Sequence, residues 1–415
     1  MIILGIETSC DDSCIALAKG SAKKFELISN LISSQVKIHQ KWGGVYPLVA
    51  RREHQKNLTP LLAKALKETN LTQDVKLASK FNCQKLKKIL EREAVLYKEL
   101  KRFLATNQKP KIDLIAVTMG PGLDPCLWTG VNFARALACC WKIPIMGINH
   151  IEGHILANWL KSDSKKTKNK AQEPKEIKFP AISLIVSGGH TQIILMKSFG
   201  KYKILGETRD DAAGEAFDKI ARILGLPYPG GPAIAKEAAK PLANNNLSIK
   251  LPRPMLYSKD YDFSFSGLKT AVLYDYKNHA SFHSAEPCLP VKLGDKKKTK
   301  KEKESKQYIQ AMAREAQQAI IDVLIKKTIK ATKDYKAKSI LLGGGVTANK
   351  ELQKQFKEKI KKENLNIIFH FSDSKFCTDN AAMIAFTAWM KFMKNQSPDN
   401  WQKIKAQPNL RIDNK

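Results

Sequence analysis

The feature that most restricts the fold of this chain is a pair of apolar runs around a small turn, present at the start of each half. The first half opens with Ile2–Glu7 and the run 14–18, separated by a short polar turn. The second half opens with Ala181–Val186 and the run 191–196, separated by a turn with two glycines. Short apolar runs bounded by turn residues are typical of buried strands. The pattern predicts an α/β protein with two lobes and a cleft between them.

Periodicity predicts the remaining elements. Apolar residues at helical spacing predict helices over 51–68, 84–104, 127–141, 211–224, 233–239, 308–332 and 380–393, with further helices starting near 150 and 349. Apolar runs predict additional strands over 112–117, 143–148, 339–342 and 367–371.

The chain is strongly basic, with 71 lysines and arginines against 39 acidic residues and a formal net charge of +32. Three stretches, 76–111, 161–178 and 294–306, carry a large share of the excess. The first is predicted to contain the amphipathic helix 84–104, whereas the other two have almost no apolar residues and are predicted to be mobile loops. Two interpretations of these loops stay open: a solvated surface, or contact with a polyanion such as a nucleic acid.

The sequence also indicates a compartment. No apolar run approaches the ~20 residues of a membrane span, which excludes an integral membrane protein. The N-terminus shows neither a basic leader nor a small-residue cleavage site, so no secretion signal is expected. None of the eight cysteines forms a C-x-x-C pair, which predicts reduced thiols in the cytoplasm rather than a zinc or redox centre.

Three glycine-rich turns are candidates for phosphate binding, at 187–191, 228–232 and 343–349. Consecutive glycines let backbone N–H groups approach an anion closely, and a following helix adds positive potential. Each turn alone is also an ordinary turn, but three of them in two similar halves predict a nucleotide site. Neither a P-loop nor a Rossmann fingerprint is present.

A histidine pair, His150 and His154, follows the predicted strand 143–148. In a helix these side chains lie one turn apart on one face and can share a metal ion, although the spacing also occurs without any ligand role. Asp379 is the candidate third ligand, and an acid at that position is also an ordinary helix cap. Two histidines and one aspartate suit Fe²⁺ or Zn²⁺ and leave positions for substrate oxygens.

A metalloprotease uses the same histidine spacing but places a glutamate directly after the first histidine. Here Glu152 lies two residues after His150, about 200° around the helix. Its carboxylate is therefore expected to point away from the metal, which excludes the protease.

Eight motifs occur in a recognisable order along the chain. They are Gly5-Ile-Glu-Thr-Ser-Cys-Asp11, His150-Ile-Glu-Gly-His154, Val186-Ser-Gly-Gly-His-Thr-Gln192, Asp211-Ala-Ala-Gly-Glu-Ala-Phe-Asp-Lys219, Tyr228-Pro-Gly-Gly-Pro232, Phe263-Ser-Phe-Ser-Gly-Leu-Lys-Thr270, Gly344-Gly-Val-Thr-Ala-Asn349 and Phe376-Cys-Thr-Asp-Asn380. Together they resemble the universal tRNA N6-adenosine threonylcarbamoyltransferase family, bacterial type, once described as glycoproteases. The resemblance extends from residue 2 to about 394.

The resemblance implies an actin-like ATPase fold, of the sugar kinase and heat-shock ATPase type, with two lobes and a central cleft. The first lobe would span 1–150, completed by the helix 379–394, with a basic helical insertion at about 71–111. The second would span 151–378, with lysine-rich insertions at about 161–178 and 277–306. The implied activity transfers a threonylcarbamoyl group from threonylcarbamoyl-AMP to N6 of the adenosine 3′ of the anticodon, in tRNAs that read codons beginning with adenine.

The resemblance also assigns residues, motif by motif. His150, His154 and Asp379 would bind one divalent metal, with Fe²⁺ favoured over Zn²⁺. The adenylate would contact Ile185, Val186, Ser187, Gly188, Gly189, Asp218, Gly231 and Asn349. The implied partners are tRNA and helper subunits, namely a degenerate paralogue of the same fold and a small P-loop ATPase, with no membrane.

Some points stay open at this stage. Asp11 is a candidate for taking the proton from N6, or it only fixes the first turn. Ala235 stands where several relatives carry a carboxylate, so ribose contacts there are expected to fall to Asp218. If the helix 84–104 packs near the family's usual partner surface, association with helper subunits is expected to differ. Two other functions compete: a non-catalytic nucleotide-binding partner of the same fold, and an ATPase or small-metabolite kinase.

Overall fold

The computed structural model describes residues 1–71, 83–160, 177–242, 249–279 and 300–413, with side chains in the last range from 304 onward. The chain forms two compact units. Unit 1 comprises 1–38, 45–176 and 372–415, and unit 2 comprises 39–44 and 177–371. Each unit contains one five-stranded sheet with helices, which confirms the predicted mixed α/β class.

The helices are numbered in chain order. They are α1 (Val36–His39), α2 (Pro47–Glu68), α3 (Cys83–Ile89), α4 (Ala94–Thr106), α5 (Asp124–Trp141), α6 (His150–Leu156), α7 (Ala213–Ile223), α8 (Gly230–Ala238), α9 (Ser266–Asn278), α10 (Lys300–Asp334), α11 (Lys350–Lys362), α12 (Ser374–Cys377) and α13 (Ala381–Met393). Short 3₁₀ turns occur at Gln40–Trp42, Ala157–Trp159 and Gly345–Ala348.

The sheet of unit 1 has the strand order β3-β2-β1-β4-β5. Its strands are β1 (Ile2–Glu7), β2 (Asp12–Gly20), β3 (Phe25–Ser34), β4 (Leu114–Gly120) and β5 (Ile145–Asn149). β1 pairs antiparallel with β2 and parallel with β4, and β4 pairs parallel with β5. The predicted opening hairpin is therefore confirmed. Because β4 and β5 run parallel, their carboxyl ends meet at one edge of the sheet, and α6 starts directly after β5.

The sheet of unit 2 has the strand order β10-β9-β6-β7-β8. Its strands are β6 (Ala181–Val186), β7 (Thr191–Ser198), β8 (Lys201–Glu207), β9 (Ser339–Gly343) and β10 (Ile368–Phe371). β6 pairs antiparallel with β7 and parallel with β9, as β1 does with β2 and β4. The similarity of the two halves predicted from sequence is thus a similarity of sheet topology.

Each sheet is covered by apolar helix faces. In unit 1 the core includes Leu4 and Ile15 of the sheet with Leu62 of α2 and Phe133 of α5, all fully buried. In unit 2 the core includes Leu184, Phe217 of α7 and Met312 of α10. Burial of a side chain of this size contributes about 1.5–3 kcal/mol, so these helices are held mainly by their apolar faces.

The prediction of one basic helix over 84–104 is wrong, because α3 ends at Ile89 and α4 begins at Ala94. The chain leaves the helical path where Glu93 turns inward. Its carboxylate is buried, 3.7 Å from the guanidinium of Arg51 and 3.4 Å from the side-chain amide of Asn132. A buried carboxylate needs such partners, and this requirement overrides helical continuity.

The lysine-rich stretches fall largely outside the described residues: 161–176 and 280–299 are not described. The predicted loop at 294–306 is wrong for its last seven residues, because α10 begins at Lys300. Lysine and glutamate are good helix formers, so this charged segment extends the helix without any apolar face. Among the described residues, none of the helices combines the length and apolar character that crossing a bilayer requires.

Candidate metal and nucleotide-binding residues

The histidine pair lies on α6, the helix that follows β5. The side chain of Asn149 caps this helix, because its oxygen accepts hydrogen bonds from the backbone N–H groups of Ile151 and Glu152, at 2.9 and 3.2 Å. The cap fixes the start of the helix at His150, so His154 follows one turn later on the same face. The two rings are buried and their centroids lie 4.6 Å apart.

Asp379 reaches the same place from the far end of the chain. Asn380, not Asp379, caps α13, since its side-chain oxygen accepts from the backbone N–H of Met383 at 3.0 Å. The start of α13 packs tightly on β1: a Cβ at Gly5 would lie 2.4 Å from the carbonyl oxygen of Ala381. Only glycine allows this approach. The close packing holds Asp379 beside the histidines, although it follows His154 by 225 positions.

The three side chains converge on one point. The Nε2 atoms of His150 and His154 lie 3.5 and 3.1 Å from the same oxygen, Oδ1 of Asp379. One ligand atom from each residue lies within 4.8 Å of the other two. Asp379 had two interpretations, a metal ligand and a helix cap. The geometry favours the ligand, because Asn380 caps α13.

Glu7, at the end of β1, orients His150 by contacting Nδ1, the ring nitrogen that does not face Asp379. Its Oε2 lies 3.0 Å from Nδ1 of His150 and accepts from the hydroxyl of Thr118 at 2.5 Å. Its other oxygen accepts from the backbone N–H of Ser9 at 2.5 Å. A carboxylate at Nδ1 keeps the proton there, which leaves the lone pair of Nε2 directed at Asp379.

The electrostatics of the cluster favour a positive charge at its centre. Burial alone would lower the pKa of His150, but the carboxylates of Glu7 and Asp379 raise that pKa to about 9. Burial would raise the pKa of Glu7, but the charge and hydrogen bond of His150 lower it. Buried negative charge of this kind requires a compensating cation, either a proton or a metal ion.

The donor set fits a divalent metal. Two imidazole nitrogens and one carboxylate oxygen are ligands that Fe²⁺ and Zn²⁺ accept, and three protein ligands leave positions for substrate. A doubly charged cation would also balance Glu7 and Asp379 with both imidazoles neutral. The residues present therefore fit a metal, and Glu7 is the outer carboxylate that such histidine ligands usually have.

Glu152 points away from this cluster, as its position on the helix predicts. Its carboxylate is buried and forms an ion pair with Lys391 of α13 at 2.8 Å. The pair ties α6 to α13 and so stabilises the arrangement of the histidines against Asp379. A water-activating role as in a metalloprotease does not fit this geometry.

The turn between β1 and β2 carries Asp11, and His54 of α2 holds it. Nε2 of His54 lies 2.9 Å from the carbonyl oxygen of Cys10, and Nδ1 lies 2.7 Å from the hydroxyl of Ser13. The backbone carbonyl of Asp11 also accepts from the N–H of Gln35 at 3.3 Å. These contacts show a well-fixed turn, and they leave both interpretations of the Asp11 carboxylate open.

Asp12 is a second acidic group of this turn that sequence reasoning did not single out. Burial, followed by repulsion from Asp379 and Asp11, raises the pKa of its carboxyl group to about 7. Its Oδ1 is buried and has no hydrogen-bond partner among the residues that the structure describes. The signal in the sequence was the doubled acid Asp11-Asp12 at the start of an otherwise apolar strand.

In unit 2 the glycine turns lie next to one another. β6 and β9 are adjacent and parallel, so the turns after Val186 and Gly343 leave the same edge of the sheet. The backbone N–H of Gly214, at the start of α7, donates to the carbonyl oxygen of Ser187 at 3.1 Å. Gly188 and Gly189 are exposed, and a Cβ at either would meet nothing within 4 Å. Two exposed glycines in a fixed turn suit close approach of an anionic ligand.

The other predicted nucleotide contacts have structural roles as well. Oδ1 of Asp218 accepts from the backbone N–H of Gly230 at 2.6 Å, which joins α7 to the start of α8. The side-chain oxygen of Asn349 caps α11, and its amide donates to Gln317 at 2.8 Å. Ile185 and Val186 are fully buried in β6, so only their backbone can face a ligand. The structure thus places all eight predicted contacts in unit 2: at the end of β6 and on the turn after it, in α7, and at the starts of α8 and α11.

Besides Asp12, sequence reasoning missed Glu7, Ser9 and His54. Ser9 places its hydroxyl 3.2 Å from Nδ1 of His150. A charged residue at the end of a fully apolar strand, as Glu7 is, signals a buried carboxylate that needs a partner. Nothing in the spacing of His54 indicates which turn it would hold.

Fold and site together define a mixed α/β protein with a buried cluster of two histidines and one aspartate in one unit and adjoining glycine turns in the other. Comparison with known proteins identifies the family. The family model for tRNA N6-adenosine threonylcarbamoyltransferase matches residues 26–77 and 95–386.

Curated relatives agree with the family model. A tRNA N6-adenosine threonylcarbamoyltransferase of Thermosipho africanus is 39% identical over 99% of this chain and 100% of its own length. Those of Syntrophomonas wolfei and Bacillus cereus are 38% and 40% identical, over 93% and 92% of this chain and 91% and 89% of their own lengths. The chain belongs to the tRNA N6-adenosine threonylcarbamoyltransferase family.

Among solved structures, full-length HypF in its phosphate- and nucleotide-bound form aligns with 95% of this chain and 46% of its own, with a TM-score of 0.45 and 12% identity. This likeness is too weak to carry an argument about fold or function.

Proposed function

We propose that this chain transfers the threonylcarbamoyl group from threonylcarbamoyl-AMP to N6 of the adenosine 3′ of the anticodon, in tRNAs that read codons beginning with adenine. The observation that carries the proposal is the convergence of His150, His154 and Asp379 within 4.8 Å, in a member of this family. A non-catalytic partner of the same fold is expected to lack the histidine pair, which this chain retains.

The chemistry explains why such a site is needed. The N6 amine is a poor nucleophile, because its lone pair is delocalised into the purine ring. In the proposed reaction N6 attacks the carbamoyl carbon of the mixed anhydride, a C–N bond forms, and the C–O bond to the phosphate breaks. AMP leaves with that electron pair, and N6 loses a proton. We assign this proton to Asp11, on the turn that His54 and Gln35 hold in place.

His150, His154 and Asp379 would hold one divalent metal, and Fe²⁺ is favoured over Zn²⁺. When bound, the metal supplies a positive charge that stabilises oxygens of the donor as negative charge develops on them. The protein's own contribution is orientation. Glu7 fixes the tautomer of His150, and the pair of Glu152 with Lys391 holds α6 against α13.

The adenylate would lie on the turns of unit 2. Gly188 and Gly189 would offer backbone N–H groups to the phosphate, with Ile185, Val186 and Ser187 contributing backbone before them. Gly231 and Asn349 would contact the nucleotide from the starts of α8 and α11. Asp218 would take the ribose contact, because Ala235 of α8 has no polar group to offer.

Membership of the family also supports proposals about the fold type, the compartment and the partner proteins. The fold would be actin-like, with one lobe formed by 1–150 and 379–394 and the other by 151–378; the compact units differ from these bounds, because 151–176 and 372–378 belong to unit 1 and 39–44 to unit 2. The protein would act in the cytoplasm with helper subunits, a degenerate paralogue of the same fold and a small P-loop ATPase.

The proposed activity is tested in a reaction that contains every component. Purified protein is supplied with threonylcarbamoyl-AMP, unmodified tRNA and the helper proteins, and the digested tRNA is examined for the modified nucleoside by mass spectrometry. Wild type and Glu152→Gln are expected to form product, whereas His150→Ala is not. If correctly folded, metal-loaded wild type forms no modified adenosine, the proposal fails.

A further inference from the structure

Unit 1 carries a basic pocket that shares no residue with the histidine cluster. It has a volume of about 370 Å³ and is lined by Leu48, Arg51, Arg52, Gln55, Lys56, Arg92, Ala94 and Val95. Three arginines and one lysine line it, without any acidic residue. We refer to it as the basic pocket.

One stripe of α2 and the turn before α4 build this pocket. Residues 48, 51, 52, 55 and 56 recur at intervals of three and four, so they share one face of α2. The guanidinium of Arg51 donates to the backbone carbonyl of Arg92 and lies 3.7 Å from the carboxylate of Glu93. Arg51 therefore fixes the turn, and the turn places Arg92 on the rim of the pocket.

The charge on this surface is only partly neutralised. Arg51 faces the buried Glu93, and Lys56 pairs with Glu53 at 2.6 Å. Arg52 and Arg92 are exposed, and within the described part of the chain neither side chain has a hydrogen bond or ion pair. The charge of Arg92 also acts on Glu93, but both guanidinium groups remain exposed, and two exposed guanidinium groups on a concave surface favour an anionic ligand.

The apolar residues that line the pocket indicate which kind of anion it binds. Leu48 and Val95 are exposed, at 56% and 46% of their surface, so the pocket offers apolar contact beside the guanidinium groups. Guanidinium groups bind phosphate with two parallel hydrogen bonds, and the carbon atoms of each sugar offer apolar surface next to the phosphates. An RNA backbone presents both, and the net charge of +32 attracts it over the whole molecule.

We propose that the basic pocket binds the phosphate backbone of an RNA, and that this RNA is the tRNA of the proposed function, on which the identity of the ligand rests. The family model leaves residues 78–94 unmatched, and Arg92 lies in that gap. Arg92 thus comes from a segment that the family model does not match, and Arg52 comes from the part of α2 that it does match. The contact is independent of base sequence, because only phosphates and sugars are recognised.

The experiment measures binding without any acyl donor. A labelled, unmodified tRNA transcript and a second transcript with the target adenosine replaced by guanosine are titrated with the full chain at several salt concentrations. Arg52→Ala, Arg92→Ala and the double variant are compared with wild type. Arg102→Ala is the matched control, because it removes an exposed arginine of α4 that does not line the pocket.

Each pocket arginine is expected to contribute about five- to eightfold in affinity near ~0.1 M salt, from release of one counterion per phosphate. The double variant then binds both transcripts about 25- to 60-fold more weakly. The slope of log K against log salt concentration falls by about 1 for each arginine removed. Arg102→Ala is expected to match wild type in affinity and in slope more closely than either pocket variant.

Unchanged affinity and slope in the double variant would overturn the proposal, and so would an equal loss in Arg102→Ala. Loss of binding to only one of the two transcripts would also contradict it, because it would indicate base recognition. Weakened binding in the variants supports the pocket even if wild type forms no modified adenosine. Conversely, if wild type forms product and the variants have the same KM for tRNA, the pocket proposal is refuted while the proposed function stands.

Discussion

Replacing Glu7 by glutamine tests how the protein orients His150, the histidine that is proposed to bind a metal. The Glu7 carboxylate is fully buried and meets Nδ1 of His150, the hydroxyl of Thr118 and the N–H of Ser9. Glutamine keeps the size and one acceptor oxygen, so the bond from Ser9 survives. The other oxygen becomes an NH₂ group, which cannot accept the Nδ1 proton. The proton of His150 then favours Nε2, the atom that faces Asp379.

Loss of an outer carboxylate of this kind typically costs about 10- to 100-fold in metal affinity. This corresponds to about 1.4–2.7 kcal/mol of binding free energy. We expect Glu7→Gln to fall in this range, because the Ser9 N–H can still donate to the amide oxygen and the new NH₂ group can donate to the Thr118 hydroxyl, so the fold is retained.

The assay is a competition titration of Fe²⁺, under anaerobic conditions, or of Zn²⁺ against a chromophoric chelator. Glu152→Gln is the matched control, since it also removes a buried carboxylate near His150, on the same helix, but one directed at Lys391. The glutamine oxygen can still accept a hydrogen bond from Lys391, so this variant is expected to lose much less metal affinity than Glu7→Gln. Equal affinities of Glu7→Gln and wild type would refute the reasoning, and an equal loss in both variants would show a general effect of removing buried charge.

Three further variants are informative. Asp379→Ala removes one of three ligands, and we expect stoichiometric metal to be lost by mass spectrometry; full occupancy would rule out its role as a ligand. Gly230→Ala is expected to destabilise unit 2, because its Cβ would lie 2.5 Å from backbone atoms of α7, whereas a Cβ at Gly231 meets nothing within 4 Å. Gly231→Ala should therefore unfold like wild type in urea, and an equal loss of stability in both would contradict this packing. Asp210 accepts four hydrogen bonds at the start of α9, which lower its pKa against the opposing effect of burial. Asp210→Ala should cost about 1 kcal/mol in urea unfolding at neutral pH. Because the folded pKa lies below the ordinary value of about 4, the difference from wild type should be complete above that value and vanish as the pH falls through the folded pKa.

The sheets of both units could be predicted to a large extent, because their strands are short apolar runs bounded by turns. Ala181–Val186 has the predicted bounds, and Ile2–Glu7 pairs as expected. β3 was missed, since polar residues such as Glu26 and Asn30 interrupt a strand that lies half-exposed at the edge of the sheet. Edge strands bury one face at most, so their apolar signal is weak.

The break between α3 and α4 could not be predicted from the apolar stripe. It depends on Glu93, whose partners Arg51 and Asn132 lie 42 positions before it and 39 after it. Periodicity reports which face of a segment is apolar, whereas the inward turn of Glu93 depends on contacts between distant segments.

The cluster of His150, His154 and Asp379 could also be predicted only in part from local spacing. The spacing of His150 and His154 predicts that they share one helix face, and the structure confirms it. The carboxylates of Glu7 and Asp379 come from opposite ends of the chain, so local spacing carries no information about them. Asp379 was a candidate from its position at the start of the last predicted helix, and the resemblance to the family then assigned it to the metal.

The separation of Asp379 from the histidines has a consequence for how the protein matures. While the chain emerges from the ribosome, both imidazoles are available long before α13 has been made, and Asp379 follows His154 by 225 positions. A nascent chain that ends before α13 would offer two of the three proposed ligands, so it would hold a metal ion weakly. Firm metal retention would thus mark a chain in which α13 has been made and has docked on β1.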